Sequence, residues 1–170
     1  MFHLNVMLTC VLSVFLCSCT QLLVHTTPAV RLNVNRHIAV SVFKNKTPMP
    51  AANQLAQSVA VHELSTRGFQ HIMVGSPSKY AQAKCKRKED IQWAKNLGAS
   101  YMVTGVVREW HDLVDLDAQF FVGITLQLTD TATGRLIWTA DGSKKGCNRE
   151  VLVTLITKEL IHAMLVGLTA

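Results

Sequence analysis

Apolar and polar residues alternate most cleanly between Val122 and Thr129. Val122, Ile124, Leu126 and Leu128 fall on one side of an extended chain, and Gly123, Thr125, Gln127 and Thr129 on the other. A period of two belongs to a strand with one face on a core. It predicts a strand over 118–129, flanked by strands over 101–110 and 135–140, with Thr131-Ala132-Thr133-Gly134 as the second hairpin turn. Upstream, the apolar, β-branched centre of 37–43 reads as a buried strand and 70–74 as another. Between them Ala52, Leu55, Ala56, Val59 and Ala60 recur at helical spacing over 51–67, with Pro50 suited to the first turn and Gly68 to the C-cap. Ile91, Ala94 and Leu97 mark a helix over 89–97 that Gly98 stops. The tail, 149–168, carries the stripe Leu152, Leu155, Ile156, Leu160, Ala163 and Met164, with Asn148 as N-cap. Asn45-Lys46-Thr47-Pro48 and Gly75-Ser76-Pro77-Ser78 read as loops. The order β-α-β-α-β-β-β-α predicts an α/β fold, a single mixed sheet of about five strands packed by about three helices, with early parallel strands and a later antiparallel meander.

The N-terminal segment differs. Residues 1–18 contain no Lys, Arg, Asp or Glu, and an apolar run from Val6 ends at Leu16-Cys17-Ser18-Cys19 before polar Thr20-Gln21. The run is shorter than the roughly 18–20 residues of a membrane-spanning helix and has the layout of a secretory signal. On the residues alone, an ordinary signal peptide and a short membrane anchor both fit. Residues 19–35 mix polar and apolar positions without a period and read as a tether; 36–170 is then one α/β domain with one core. The net charge of +6 lies wholly outside the signal, concentrated in Lys84-Cys85-Lys86-Arg87-Lys88 and Lys144-Lys145. A solvated surface and contact with lipid head groups both account for it, and export removes nucleic acid as a partner. Cys85 and Cys147 have no zinc-site spacing; a disulfide and two free thiols both remain open. His62-Glu63 lacks the second histidine of a zinc-protease motif, and His37, His71, His111 and His162 are scattered over separate elements. With no Gly-rich phosphate loop either, the expectation is a non-enzymatic protein without cofactor or metal. Phe120-Phe121 puts one ring on each strand face; Trp93 reads as packed, and for Trp110 a core position and an exposed subunit contact both remain open.

The small residue Ser18 before Cys19 makes the N-terminus resemble a bacterial lipoprotein signal. The resemblance implies that residues 1–18 are removed and that Cys19 is lipidated; Cys17, behind bulky Leu16, fits less well. It also implies that Thr20, not being Asp, directs the chain to the outer membrane. Acyl chains, at roughly 0.8 kcal/mol per buried methylene, would hold it there permanently.

Gly98-Ala99-Ser100-Tyr101-Met102-Val103-Thr104-Gly105, and Asp130 followed by Thr133-Gly134-Arg135-Leu136-Ile137-Trp138, resemble a broad family of periplasmic lipoprotein domains. It includes the curli secretion channel subunit, the penicillin-binding-protein activators and the TolB N-terminal domain. Within it, Asn45-Lys46-Thr47-Pro48, Val107 to Trp110, Val122-Gly123-Ile124-Thr125-Leu126 and Gly146-Cys147-Asn148-Arg149-Glu150 are similar to the lipoproteins of Pel polysaccharide export. That resemblance implies a ring homo-oligomer on the periplasmic face of the outer membrane, beneath a β-barrel porin. The ring would guide a cationic exopolysaccharide outward for biofilm matrix formation. It implies an acidic, polymer-guiding role for Asp112, Asp115 and Asp117, with Asp117 matching best; from the residues alone a polar turn accounts for them. It makes Cys147, where the family has Trp, membrane-proximal together with Lys144 and Lys145. The alternative is a lipoprotein activator of a peptidoglycan synthase. Such activators carry a long Pro-rich spacer, whereas the tether read here reaches about 60 Å at most. The connections are too short to add membrane-spanning hairpins, so any pore would need a separate barrel.

Overall fold

The computed structural model describes residues 21–75, 86–111, 120–146 and 153–169. The chain runs β1 (Gln21–Thr26), β2 (Val30–Arg31), β3 (Ile38–Ser41), β4 (Lys44–Asn45), α1 (Ala52–Thr66) and β5 (Ile72–Gly75). It continues through α2 (Lys86–Asn96), β6 (Tyr101–His111), β7 (Phe120–Asp130), β8 (Leu136–Gly146), α3 (Val153–Met164), a 3-10 turn (Leu165–Gly167) and β9 (Leu168–Thr169). One mixed sheet has the order β1-β8-β7-β6-β3-β5, with β4 also pairing β6. As expected, β3 is parallel to β5 and β6, while β6, β7 and β8 form an antiparallel meander.

One face of the sheet packs on α1 and α3. Val122, Ile124, Leu126 and Leu128 point there as their alternation predicts, and all four are fully buried. Small residues allow close packing on this face: Ala52, Ala56 and Ala60 line α1, and Gly105 of β6 leaves room for the Phe43 ring, which would stand 2.5 Å from a Cβ there. Where the chain leaves the sheet after β3, α1 side chains satisfy its carbonyls, Gln57 Nε2 donating to Ser41 O (3.2 Å) and Asn53 Nδ2 to Phe43 O (3.0 Å). Among the described residues, the opposite face meets α2 through a small cluster of Ala39, Ala94, Ala99 and Met102, with Trp93 packed against it.

The sheet has more strands than the five expected. Residues 21–26 and 30–31, read as tether, form β1 and β2; β1 pairs antiparallel with β8, and β2 pairs parallel with β9. β8 runs on through Asp141-Gly142-Ser143-Lys144-Lys145 to Gly146, a stretch whose composition suggests a turn. Its core-facing glycines have a packing reason, since a Cβ at Gly142 would lie 2.9 Å from Leu160 and one at Gly146 would collide with Ile156. The last helix stops at Met164, and the residues after it turn back to pair with β2. Pro50 precedes α1, which starts after Ala51 in a left-handed turn (φ 62°). Leu97 and Leu155, expected on apolar faces, are exposed. Of the two positions open to Trp110, it takes the core one and is no surface contact, for it is buried in the main core. Gly68, Gly98 and Gly134 take the positive φ that their turns require.

Candidate functional site

Register places Lys144 and Lys145, the described residues of the expected site, at one end of the sheet. Gln21 lies opposite Lys145, Lys145 opposite Phe121, and Phe121 opposite His111. These four residues form a row across β1, β8, β7 and β6 on the face away from α1 and α3. In the next row Leu22 lies opposite Lys144, Lys144 opposite Val122 and Val122 opposite Trp110, on the helix side. The same end holds His111, Phe120 and Gly146, the described residues that flank 112–119 and 147–152. Asp112, Asp115 and Asp117 fall in the first of those intervals and Cys147 in the second. Together with Cys19 and Cys85, they lie outside the described residues.

The two lysines have different environments. Lys144 is buried beneath α3, its side chain 9 % exposed, and its ammonium is paired with Glu159. Lys145, on the opposite face, is half-exposed and makes no ion pair among the described residues. Four residues back along β8 on the same face, the Arg108 guanidinium donates to Asp141 at 3.0 Å, and the Thr125 hydroxyl donates to the other Asp141 oxygen at 2.6 Å. Glu109 packs over Gly123, where a Cβ would stand 3.2 Å from that of Glu109. Phe120 packs on the core, while Phe121 tilts against His111 with ring centroids 6.5 Å apart. This end of the molecule therefore presents charge and aromatic surface over a rigid sheet.

At the far end, Arg36, Lys95, Ser100, Tyr101 and Asp130 line a shallow cleft of about 470 Å³. Hydrogen bonds from the Thr133 backbone N–H (2.7 Å) and hydroxyl (2.7 Å) hold the Asp130 carboxyl below its ordinary pKa. Two pairs were invisible to sequence reasoning. His37 and His71 meet across β3 and β5, and His162 Nδ1 lies 2.8 Å from the buried Glu63 carboxylate. Neither has a local signal, because each depends on elements distant in the chain. Among the described residues no three His, Cys, Asp or Glu side chains converge as a metal cluster, and no helix is long and apolar enough to cross a membrane.

Comparison with known proteins places this geometry. The family model of the peptidoglycan-synthase activator LpoB matches residues 24–143. Among solved structures, the PelC dodecamer from Paraburkholderia phytofirmans is similar at 26% identity and a TM-score of 0.74, over 86% of this chain and 96% of that one. A single-residue variant of the same dodecamer matches at 27% identity and a TM-score of 0.75, over 87% of this chain and 99% of that one. Lipoprotein GNA1162 from Neisseria meningitidis shares the fold at 16% identity and a TM-score of 0.52, over 75% of this chain and 94% of that one. No curated protein sequence matches. The chain belongs to the LpoB family of peptidoglycan-synthase activators and is a PelC-like form of that fold.

Proposed function

We propose that this chain is a non-enzymatic, lipid-anchored protein of the outer membrane that assembles into a periplasmic ring. The ring guides a cationic, Pel-type exopolysaccharide to a β-barrel porin. The observation that carries this reading is the pairing of Gln21 with Lys145. It brings the chain two residues after Cys19, the half-exposed Lys145 and both flanks of the Asp112–Asp117 segment to one end of one sheet. In this reading acyl chains on Cys19 hold that end against the bilayer, and Lys145 faces anionic head groups. Asp112, Asp115 and above all Asp117 line the opening; their field reaches about 8–10 Å at physiological salt, enough to draw in a polycation. The likeness to a dodecamer supports the ring. Lys144, already paired with Glu159, contributes to the shape of this end more than to its free charge.

The family match favours a second reading, activation of a peptidoglycan synthase. Against it, β1 starts at Gln21, so only Thr20 separates Cys19 from the sheet and no spacer is left to reach across the periplasm. The deciding experiment is mass photometry of the mature, detergent-solubilised protein, followed by titration with a partly deacetylated chitosan. Export predicts a multi-subunit ring, an acylated N-terminus by mass spectrometry, and a several-fold loss of polymer affinity in Asp117→Asn. A strict monomer at high concentration would favour the activator, and an unmodified N-terminus would remove the anchor from both readings.

A further inference from the structure

β3 and β5 run parallel, with Ile38 opposite Ile72 and Ala39 opposite Met73. The residues just before them, His37 and His71, are therefore neighbours on adjacent strands, at the end of the sheet remote from Gln21. Ile38 points into the main core, so His37 falls on the α2 side with Ala39. Both histidines are exposed. Their backbones are fixed: His37 O accepts from Ser100 N (2.9 Å) and Tyr101 N (3.4 Å), and His71 O accepts from Ile38 N (2.9 Å). The rings lie 4.8 Å apart between centroids, tilted by 53°.

That separation suits a shared ion. An imidazole nitrogen binds zinc at about 2.0–2.1 Å, which puts each ring centre roughly 3.2 Å from the metal. Two such rings at a nitrogen–metal–nitrogen angle of about 90–110° have centroids about 4.5–5.2 Å apart. We propose that His37 and His71 form a two-histidine site for a divalent transition ion of the nickel, copper and zinc class. Imidazole suits these ions, and copper binds tightest. No third protein ligand joins the pair among the described residues. The remaining positions go to water or to a donor from another molecule. The site is separate from the proposed anchor end and does not depend on the ring.

Calorimetric titration of the detergent-solubilised protein with Ni²⁺ and with Zn²⁺ tests the site. Cys85→Ser and Cys147→Ser remove competing thiols. One equivalent should bind and raise the melting temperature. His37→Gln and His71→Gln should each weaken binding at least about tenfold and abolish the thermal shift, with melting temperatures in chelator unchanged. His162→Gln, which alters the other histidine contact, should bind like the parent. Absence of binding, or parental affinity in either His37→Gln or His71→Gln, overturns the assignment.

Discussion

Beneath α1 and α3 the sheet is dry: Ile124, Leu126, Leu128 and Ala140 are fully buried, and Trp138 is nearly so. On the reverse face, among the described residues, α2 packs on the β3–β5–β6 side. The rest carries Arg108, Asp141, Thr125, Gln127, Ser143 and Lys145, all reaching solvent. One side excludes water to stabilise the domain. The other keeps its charges hydrated and leaves them open to exchange without a large change in folding energy.

Substitutions can test that division. The largest effect belongs to Leu126→Ala, which should cost about 2–5 kcal/mol in denaturant unfolding through lost burial and a residual cavity. Gly105→Val comes next at about 1–3 kcal/mol, because a Cβ there would collide with the buried Phe43 ring. On the open face, the double change Arg108→Met with Asp141→Asn should cost no more than about 1 kcal/mol, since half-exposed ion pairs contribute little. A cost equal to that of Leu126→Ala would erase the distinction. The smallest effect is Asp130→Asn. The native turn lowers the Asp130 pKa, so its stabilisation is present at neutral pH and is lost as pH falls through that lowered value. Parent and variant melting curves should differ slightly at pH 7, begin to approach each other below about pH 4 and converge only below the lowered Asp130 pKa.

Reading the sequence succeeded where one physical signal dominated. β7 was legible because every second residue enters the core, and α1 because alanines recur at helical spacing. β8 was cut short because its core-facing positions are Gly142, Lys144 and Gly146, residues chosen by the closeness of α3 and by Glu159 instead of by hydrophobicity. β1 was missed because it is an edge strand in which only Val24 packs on the core, so no alternation marks it. For the candidate site, sequence named Lys144 and Lys145 but not their opposite orientations, which follow from a strand it did not extend far enough. The His37–His71 pair depends on parallel pairing between distant segments, for which a sequence has no local signature.

The antiparallel rungs from Gln21–Lys145 to Thr26–Ala140 have a mechanical consequence. Antiparallel hydrogen bonds lie across the strand axis. A pull on the chain at residue 21, directed away from that end of the sheet, loads all six rungs in shear instead of peeling them off one by one. Force arriving from a surface held at the N-terminus would thus be shared along the whole seam before any part of the core is strained.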